Sequence, residues 1–165
     1  YVIPLDLHLN TFMIMIIQKN PLSSHTHAVP CPLSSFNSVR EINRVVLLLS
    51  PAKLTPLKIR EAYCTRERLD LLRQADAIAT KTLMEHDLMR DIFQLLVILL
   101  PISEDGKGDS IVLRPVCSED VMTAQFARLD WDLLNSLKQS LSNLPGIDAV
   151  FYDITHKPPA TFGWE

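Results

Sequence analysis

The C-terminal segment carries the residues best suited to bind a small ligand. Lys157 stands directly before Pro158 and Pro159, and these two prolines stiffen an extended tail that can place a charge accurately. The three N–H donors of the lysine suit a phosphate or a purine oxygen, and an ordinary solvated chain end is the alternative. Farther along, Trp164 offers an aromatic face and Glu165 a side-chain carboxylate.

Three other polar residues lie within or just after apolar runs. Gln94 needs partners for its amide, and we expect the backbone to supply them, although a ligand could. Arg114 interrupts an apolar strand, so it should meet a carboxylate, a phosphate or water, and we expect water on an edge strand. Asp120 could pair with Arg114 or orient a ligand, but we favour a role in capping the segment 118–123.

Metal and nucleophile chemistry are both weakly indicated. His25, His27 and Cys31 resemble a metal cluster in composition, but no fourth ligand at suitable spacing is evident, so no metal is predicted. Cys117 and His156 could act as nucleophile and base of a hydrolase, yet no third orienting residue accompanies them, and a buried thiol is expected instead. We therefore predict no catalytic residue.

Composition excludes several classes of protein. The chain has 165 residues, 47% of them apolar and 21% charged, which predicts one ordinary globular domain. A net charge of -3 argues against a nucleic-acid binder, and four glycines cannot form either common nucleotide-binding loop. The apolar runs are too short to span a membrane, and three scattered cysteines favour a reducing, cytoplasmic location.

The pattern of apolar residues predicts an α+β fold, a small mixed sheet with packed helices. One helix begins near Thr65 and runs to Leu83, and a second runs from Asp130 to Ser142. The turn at 103–109 makes its flanking strands a hairpin. The predicted strands are 11–17, 45–49, 95–99, 111–117 and 149–154.

The domain boundary is predicted at residue 40. Residues 1–39 are rich in Pro, Ser and His and form a poorly defined N-terminal segment, whereas residues 40–165 form the domain. Segments 40–46 and 145–151 share a polar lead-in followed by an apolar strand. This internal similarity is the pattern expected of two related subdomains.

Three segments in order resemble the C-terminal part of glutamine-hydrolysing GMP synthase. Residues 152–161 are similar to the closing motif of that family, and residues 114–124 are similar to its R-x-V-x-S-x-D-x-M-T-A segment. Residues 69–76 are similar to its L-R-x-A-D helix. The resemblance covers Arg40–Glu165.

The resemblance implies a part in converting XMP to GMP. In that family an amidotransferase releases ammonia from glutamine, and an ATP pyrophosphatase domain, using ATP and magnesium, activates XMP; neither domain is recognised here. The C-terminal domain forms a homodimer, and by resemblance Gln94 and Lys157 contact XMP. The residues that would support the site are Arg114, Asp120, Pro158, Thr161 and Glu165. The isolated chain should bind no cofactor and be inactive, and a stand-alone dimerisation or scaffold module is the alternative.

Two features depart from the family pattern. Gly163 stands where the family usually has glutamate before tryptophan, which removes a carboxylate expected to touch the nucleotide. Residues 102–109 replace the V-G-V-x-G-D loop of shorter family members.

Overall fold

The computed structural model of the chain describes residues 2–7, 10–18, 42–53, 55–158 and 160–164, which form an α+β fold, as predicted. The helices in these ranges are α1 (Arg66–Glu85) and α2 (Trp131–Ser142). The strands are β1 (Val2–Leu7), β2 (Asn10–Gln18), β3 (Ile42–Ser50), β4 (Lys58–Ile59), β5 (Gln94–Leu100), β6 (Ile102–Ser103), β7 (Asp109–Cys117), β8 (Gln125–Phe126) and β9 (Ile147–Asp153).

Within the described ranges, seven strands form one mixed sheet. Its order is β1-β2-β3-β9-β7-β5, and β8 pairs with the end of β7. The pairs β2–β3 and β7–β9 are parallel, and the other neighbours are antiparallel. The predicted hairpin is confirmed, because β5 and β7 pair antiparallel along their length. β4 and β6 form a separate two-stranded sheet.

Both predicted helices are confirmed, and the residue that precedes α1 caps it. Thr65 precedes α1, and its hydroxyl accepts a hydrogen bond from the backbone N–H of Arg68 at 3.4 Å. Asp130 occupies the same position before α2, but its side chain makes no capping hydrogen bond. The buried faces contain Ala75, Ala79 and Leu83 in α1, and Leu133, Leu134, Leu137 and Leu141 in α2.

The central strands bury both faces of the sheet. Because side chains alternate along a strand, odd and even positions enter different layers. The layer that packs on the helices includes Val45, Leu47, Ile111, Leu113, Val150 and Tyr152. The opposite layer includes Ile16, Val46, Leu48, Val112, Ala149 and Phe151, with the half-buried Trp164 against it. By the same alternation, Arg44, Arg114 and Asp153 belong to this second layer.

The N-terminal strands extend the sheet beyond β3. The predicted strand 11–17 is confirmed by β2. The sequence predicts no strand before residue 11, whereas the structure has β1 there as an edge strand, where Pro4 is tolerated. The similar segments 40–46 and 145–151 contain the starts of the adjacent strands β3 and β9, and their origin in two related subdomains stays a prediction.

Candidate functional site

Four strands bring the candidate residues to one end of the sheet. β7 and β9 are parallel, so their carboxyl ends meet. β5 and β3 run antiparallel to β7 and β9 respectively, so both begin at the same place. We call this region the tail end of the sheet: the starts of β3 and β5, and the ends of β7 and β9. Gln94 begins β5 there, and Lys157 follows β9 by four residues.

Lys157 is held on both its main chain and its side chain. Its backbone forms an isolated bridge with Ala124, with N–H···O distances of 2.8 and 3.0 Å. Its ammonium donates to the carbonyl oxygen of Val121 at 2.7 Å and lies 4.2 Å from the ring centroid of Phe162. The Val121 carbonyl uses one of the three ammonium donors. The ammonium is therefore held in position while two donors remain for a ligand.

The loop that receives Lys157 is shaped by Asp120 and Ser118. One carboxylate oxygen of Asp120 accepts from the backbone N–H groups of Met122 and Thr123, both at 3.0 Å, which confirms the predicted capping role. Hydrogen bonds from Thr123 and Met122 hold the pKa of Asp120 below its ordinary value. The hydroxyl of Ser118 donates to the Thr123 carbonyl and accepts from the N–H of Val121. The loop therefore has one defined conformation around the Val121 carbonyl.

Gln94 presents a buried acceptor. Its Oε1 has no hydrogen-bond partner among the described residues, so the prediction of a backbone partner is wrong for this atom. The preceding residue, Phe93, is 52% exposed, and its ring packs 5.4 Å from that of Phe162. Since Phe162 also contacts Lys157, the aromatic pair joins the lysine to the start of β5. A buried acceptor without a partner is costly unless a ligand satisfies it.

Arg114 lies in the interior of the protein. β7 stands between β9 and β5, so the prediction of a wet edge strand is wrong. Arg114 and Asp153 are both 0% exposed, and Nη1 of the arginine lies 2.9 Å from Oδ2 of the aspartate. That carboxylate also accepts from the Thr155 N–H at 2.8 Å and from the Trp164 indole at 2.7 Å. The buried pair therefore connects β7, β9 and the tail.

The other candidate residues occupy different surroundings. Thr161 lies in the tail next to the buried arginines, where its hydroxyl accepts from Arg44 at 2.8 Å. Pro158 is exposed beside Lys157, whereas Glu165 lies outside the described residues. A surface cavity of about 440 Å³ lies against the loop, but Gln94 and Lys157 do not line it. Its lining residues are Cys117, Ser118, Glu119, Asp120, Thr123, Ala124 and Gln125.

The hydrolase and metal hypotheses gain no support. Burial, and then the charge of Asp91, raises the pKa of the Cys117 thiol, whereas a nucleophilic cysteine needs a lowered one. His25, His27 and Cys31 lie outside the described ranges. Inside those ranges no group of three or more His, Cys, Asp or Glu side chains could hold a metal ion. The same part of the chain contains no helix both long and apolar enough to cross a membrane.

Sequence reasoning missed two buried charged residues: Asp153, the ion-pair partner of Arg114, and Arg44, which binds the same tail. A signal existed for Asp153, because charged residues of opposite sign within apolar strands tend to pair when buried. Fold and arrangement together define an α+β domain whose sheet end is closed by its own C-terminal tail.

Comparisons with known proteins identify the family. Residues 81–164 match the family described as GMP synthase C terminal domain. The chain is 46% identical over 110 residues to GMP synthase [glutamine-hydrolyzing] of Streptomyces coelicolor, covering 61% of this chain and 21% of the relative. It is 40% identical over 126 residues to probable GMP synthase [glutamine-hydrolyzing] of Leptospira interrogans, covering 75% and 21%. The chain belongs to the GMP synthase C-terminal domain family and matches about a fifth of the length of these relatives.

Proposed function

We propose that this chain works as the C-terminal, XMP-binding part of a glutamine-hydrolysing GMP synthase. The reaction converts XMP to GMP with ATP and ammonia from glutamine, and belongs to purine nucleotide biosynthesis. We assign the ATP pyrophosphatase and amidotransferase steps, with ATP and magnesium, to other domains of the protein. This chain supplies binding contacts and dimer contacts, and no residue of it carries out the chemical step. The alternative of a stand-alone scaffold is not favoured by the relatives, which are named as synthases.

The single observation that carries the proposal is the convergence of Gln94 and Lys157 at the tail end of the sheet. Gln94 has a buried oxygen that can accept a hydrogen bond from an N–H group of the xanthine ring. Lys157 has an ammonium whose donors suit a purine oxygen or the phosphate. A nucleotide with both N–H donors and anionic oxygens complements this pair.

The remaining candidates act as supports in this proposal. Asp120 shapes the loop that holds Lys157, and Arg114 holds the tail by a hydrogen bond to the Thr161 carbonyl. Pro158 stiffens the backbone after the lysine, and Thr161 anchors the tail through Arg44. We assign Glu165 to the same support.

The wider assignment follows from family membership. We propose residues 40–165 as the functional domain, preceded by the segment 1–39. We further propose a homodimer in the cytoplasm, with XMP as ligand and neither nucleic acid nor membrane as partner.

A chimeric enzyme tests the proposal. The C-terminal segment of the Streptomyces coelicolor GMP synthase is replaced by the full 165-residue chain, which keeps the pairing of β2 with β3, and GMP formation is measured against XMP concentration. We expect activity, with KM for XMP raised about 10- to 150-fold in Lys157→Ala, the range for losing a charge-assisted hydrogen bond. Gln94→Ala should raise KM about 2- to 10-fold, the range for a neutral hydrogen bond.

Two exposed residues of α1 provide matched controls. Lys81→Ala and Gln74→Ala remove the same groups from the surface of the helix and should leave KM unchanged. A folded chimera without activity would favour the scaffold alternative. An active chimera whose KM ignores both site substitutions would contradict the site assignment.

A further inference from the structure

Two buried arginines meet the C-terminal tail from different strands. Arg44 of β3 is 1% exposed and Arg114 of β7 is 0% exposed, and β9 lies between their strands. Both belong to the layer facing away from the helices. Asp153 of β9 pairs with Arg114, so the two arginines and this carboxylate carry a net charge of +1.

The arginines bind three consecutive backbone carbonyls of the tail. Arg114 donates through Nη2 to the Thr161 oxygen at 2.6 Å and through Nε to the Phe162 oxygen at 3.2 Å. Arg44 donates through Nη2 to the Gly163 oxygen at 2.5 Å, and through Nη1 to the Thr161 oxygen at 3.3 Å. Hydrogen bonds from rigid, planar guanidinium groups to successive carbonyls restrict the tail to one backbone conformation.

The fixed backbone places the ring of Phe162. This ring lies 5.4 Å from the ring of Phe93 and 4.2 Å from the ammonium of Lys157. Lysine has a flexible four-carbon stem, so a single hydrogen bond to the Val121 carbonyl leaves it several conformations. The aromatic face adds a second contact that selects one of them.

We propose that Arg44 and Arg114 are positioning residues: by holding the backbone of 161–163 they fix Phe162, and Phe162 fixes the ammonium of Lys157. The consequence for catalysis rests on the proposed function, since it requires Lys157 to contact XMP. The positioning of Lys157 does not depend on that contact. Preorganising a flexible charged side chain removes an ordering cost that ligand binding would otherwise carry.

Nuclear magnetic resonance of the full 165-residue chain tests the positioning directly. Lysines are reductively dimethylated with ¹³C-formaldehyde and a borane hydride donor, which retains their positive charge, and the Lys157 signal is identified by its loss in Lys157→Arg. Because the ammonium lies over the Phe162 ring, we expect a ring-current upfield shift of this signal relative to the exposed Lys81.

Two variants separate positioning from simple loss of the fold. Arg44→Met keeps the ion pair between Arg114 and Asp153, so the chain should still fold while the tail loses the hydrogen bonds from Arg44 to Thr161 and Gly163. Phe162→Leu removes the ring and keeps the backbone carbonyls that the arginines bind. In both variants the Lys157 signal should move to the position of an exposed lysine. Arg73→Met, at an exposed site on α1, is the control and should leave it unchanged.

The outcomes distinguish this inference from the proposed function. An unshifted Lys157 signal in the wild-type chain, or a signal that Arg44→Met leaves in place in a folded chain, would overturn the positioning role. In the chimeric synthase, Arg44→Met should raise KM for XMP about 2- to 12-fold, the range for ordering one flexible side chain. A displaced signal with unchanged KM would uphold the positioning and reject the contact between Lys157 and XMP.

Discussion

Replacing Asp153 with asparagine should destabilise the protein severely. The carboxylate is fully buried, and its Oδ2 lies 2.9 Å from Arg114 and 2.7 Å from the Trp164 indole. Its Oδ1 accepts from the Thr155 N–H at 2.8 Å. Asparagine has nearly the same shape but substitutes an NH₂ donor for one of these acceptors, so two donors must then face each other.

The magnitude follows from the burial of both charges. Removing one partner of a buried ion pair leaves the other uncompensated and costs about 3–5 kcal/mol. In a chain of 165 residues this corresponds to a melting temperature lower by roughly 6–20 °C. Total stability is on the order of 5–15 kcal/mol, so this loss is a large fraction of it.

Urea unfolding followed by circular dichroism measures the change. Asp70→Asn is the matched control, because Asp70 also forms ion pairs with arginine, Arg73 at 2.6 Å and Arg66 at 3.7 Å, but on the surface of α1. We expect the control to cost about 0.2–1 kcal/mol. Equal losses at Asp153 and Asp70 would refute the role given to burial.

Three further changes test the core, a helix start and a titrating group. Leu137→Ala should cost about 2–5 kcal/mol by leaving a cavity between α2 and the sheet, whereas Leu69→Ala, at a partly exposed site, should cost far less. Thr65→Ala should cost about 0.5–2 kcal/mol by leaving the Arg68 N–H without its cap. Burial, followed by the nearby arginine charges, lowers the pKa of His156 below 6.5, so the unfolded chain binds its proton first and stability should fall as pH drops below 6.5.

For each of these three predictions, one result would contradict it. Denaturant midpoints show the effects of Leu137→Ala and Thr65→Ala, and a Leu137→Ala no worse than Leu69→Ala would contradict the assigned core. For His156, the free energy of unfolding is measured at pH 7 and at pH 5, both for the wild-type chain and for His156→Gln. The wild-type chain should lose more stability than the variant over this range, and identical losses would show that the histidine is not responsible.

Local pattern was enough to predict most of the elements that form the site. The apolar runs of β3, β5 and β7 and the helical spacing of α1 each lie within one segment, so period and capping residues identify them without knowledge of the rest. The turn after β5 likewise predicted the β5–β7 hairpin. The resemblance identified the family and nominated Gln94 and Lys157.

The surroundings of the charged residues required the strand order. Arg114 is buried because β7 is flanked by β9 and β5, and nothing within residues 111–117 reveals those neighbours. Asp153 becomes its partner through the parallel pairing of β7 and β9, a long-range contact. The hydrogen bonds from Arg44 to the tail join positions more than a hundred residues apart, and the local sequence pattern cannot predict such contacts.

Equilibrium binding of XMP to the chimeric synthase tests the central claim most directly. Isothermal calorimetry compares the wild-type chimera with Lys157→Ala and with the control Lys81→Ala in the absence of ATP. We predict that Kd rises about 10- to 150-fold for Lys157→Ala alone, since the ligand loses a charge-assisted hydrogen bond. An unchanged Kd in a folded Lys157→Ala chimera would contradict the assignment of the tail end of the sheet as the XMP site.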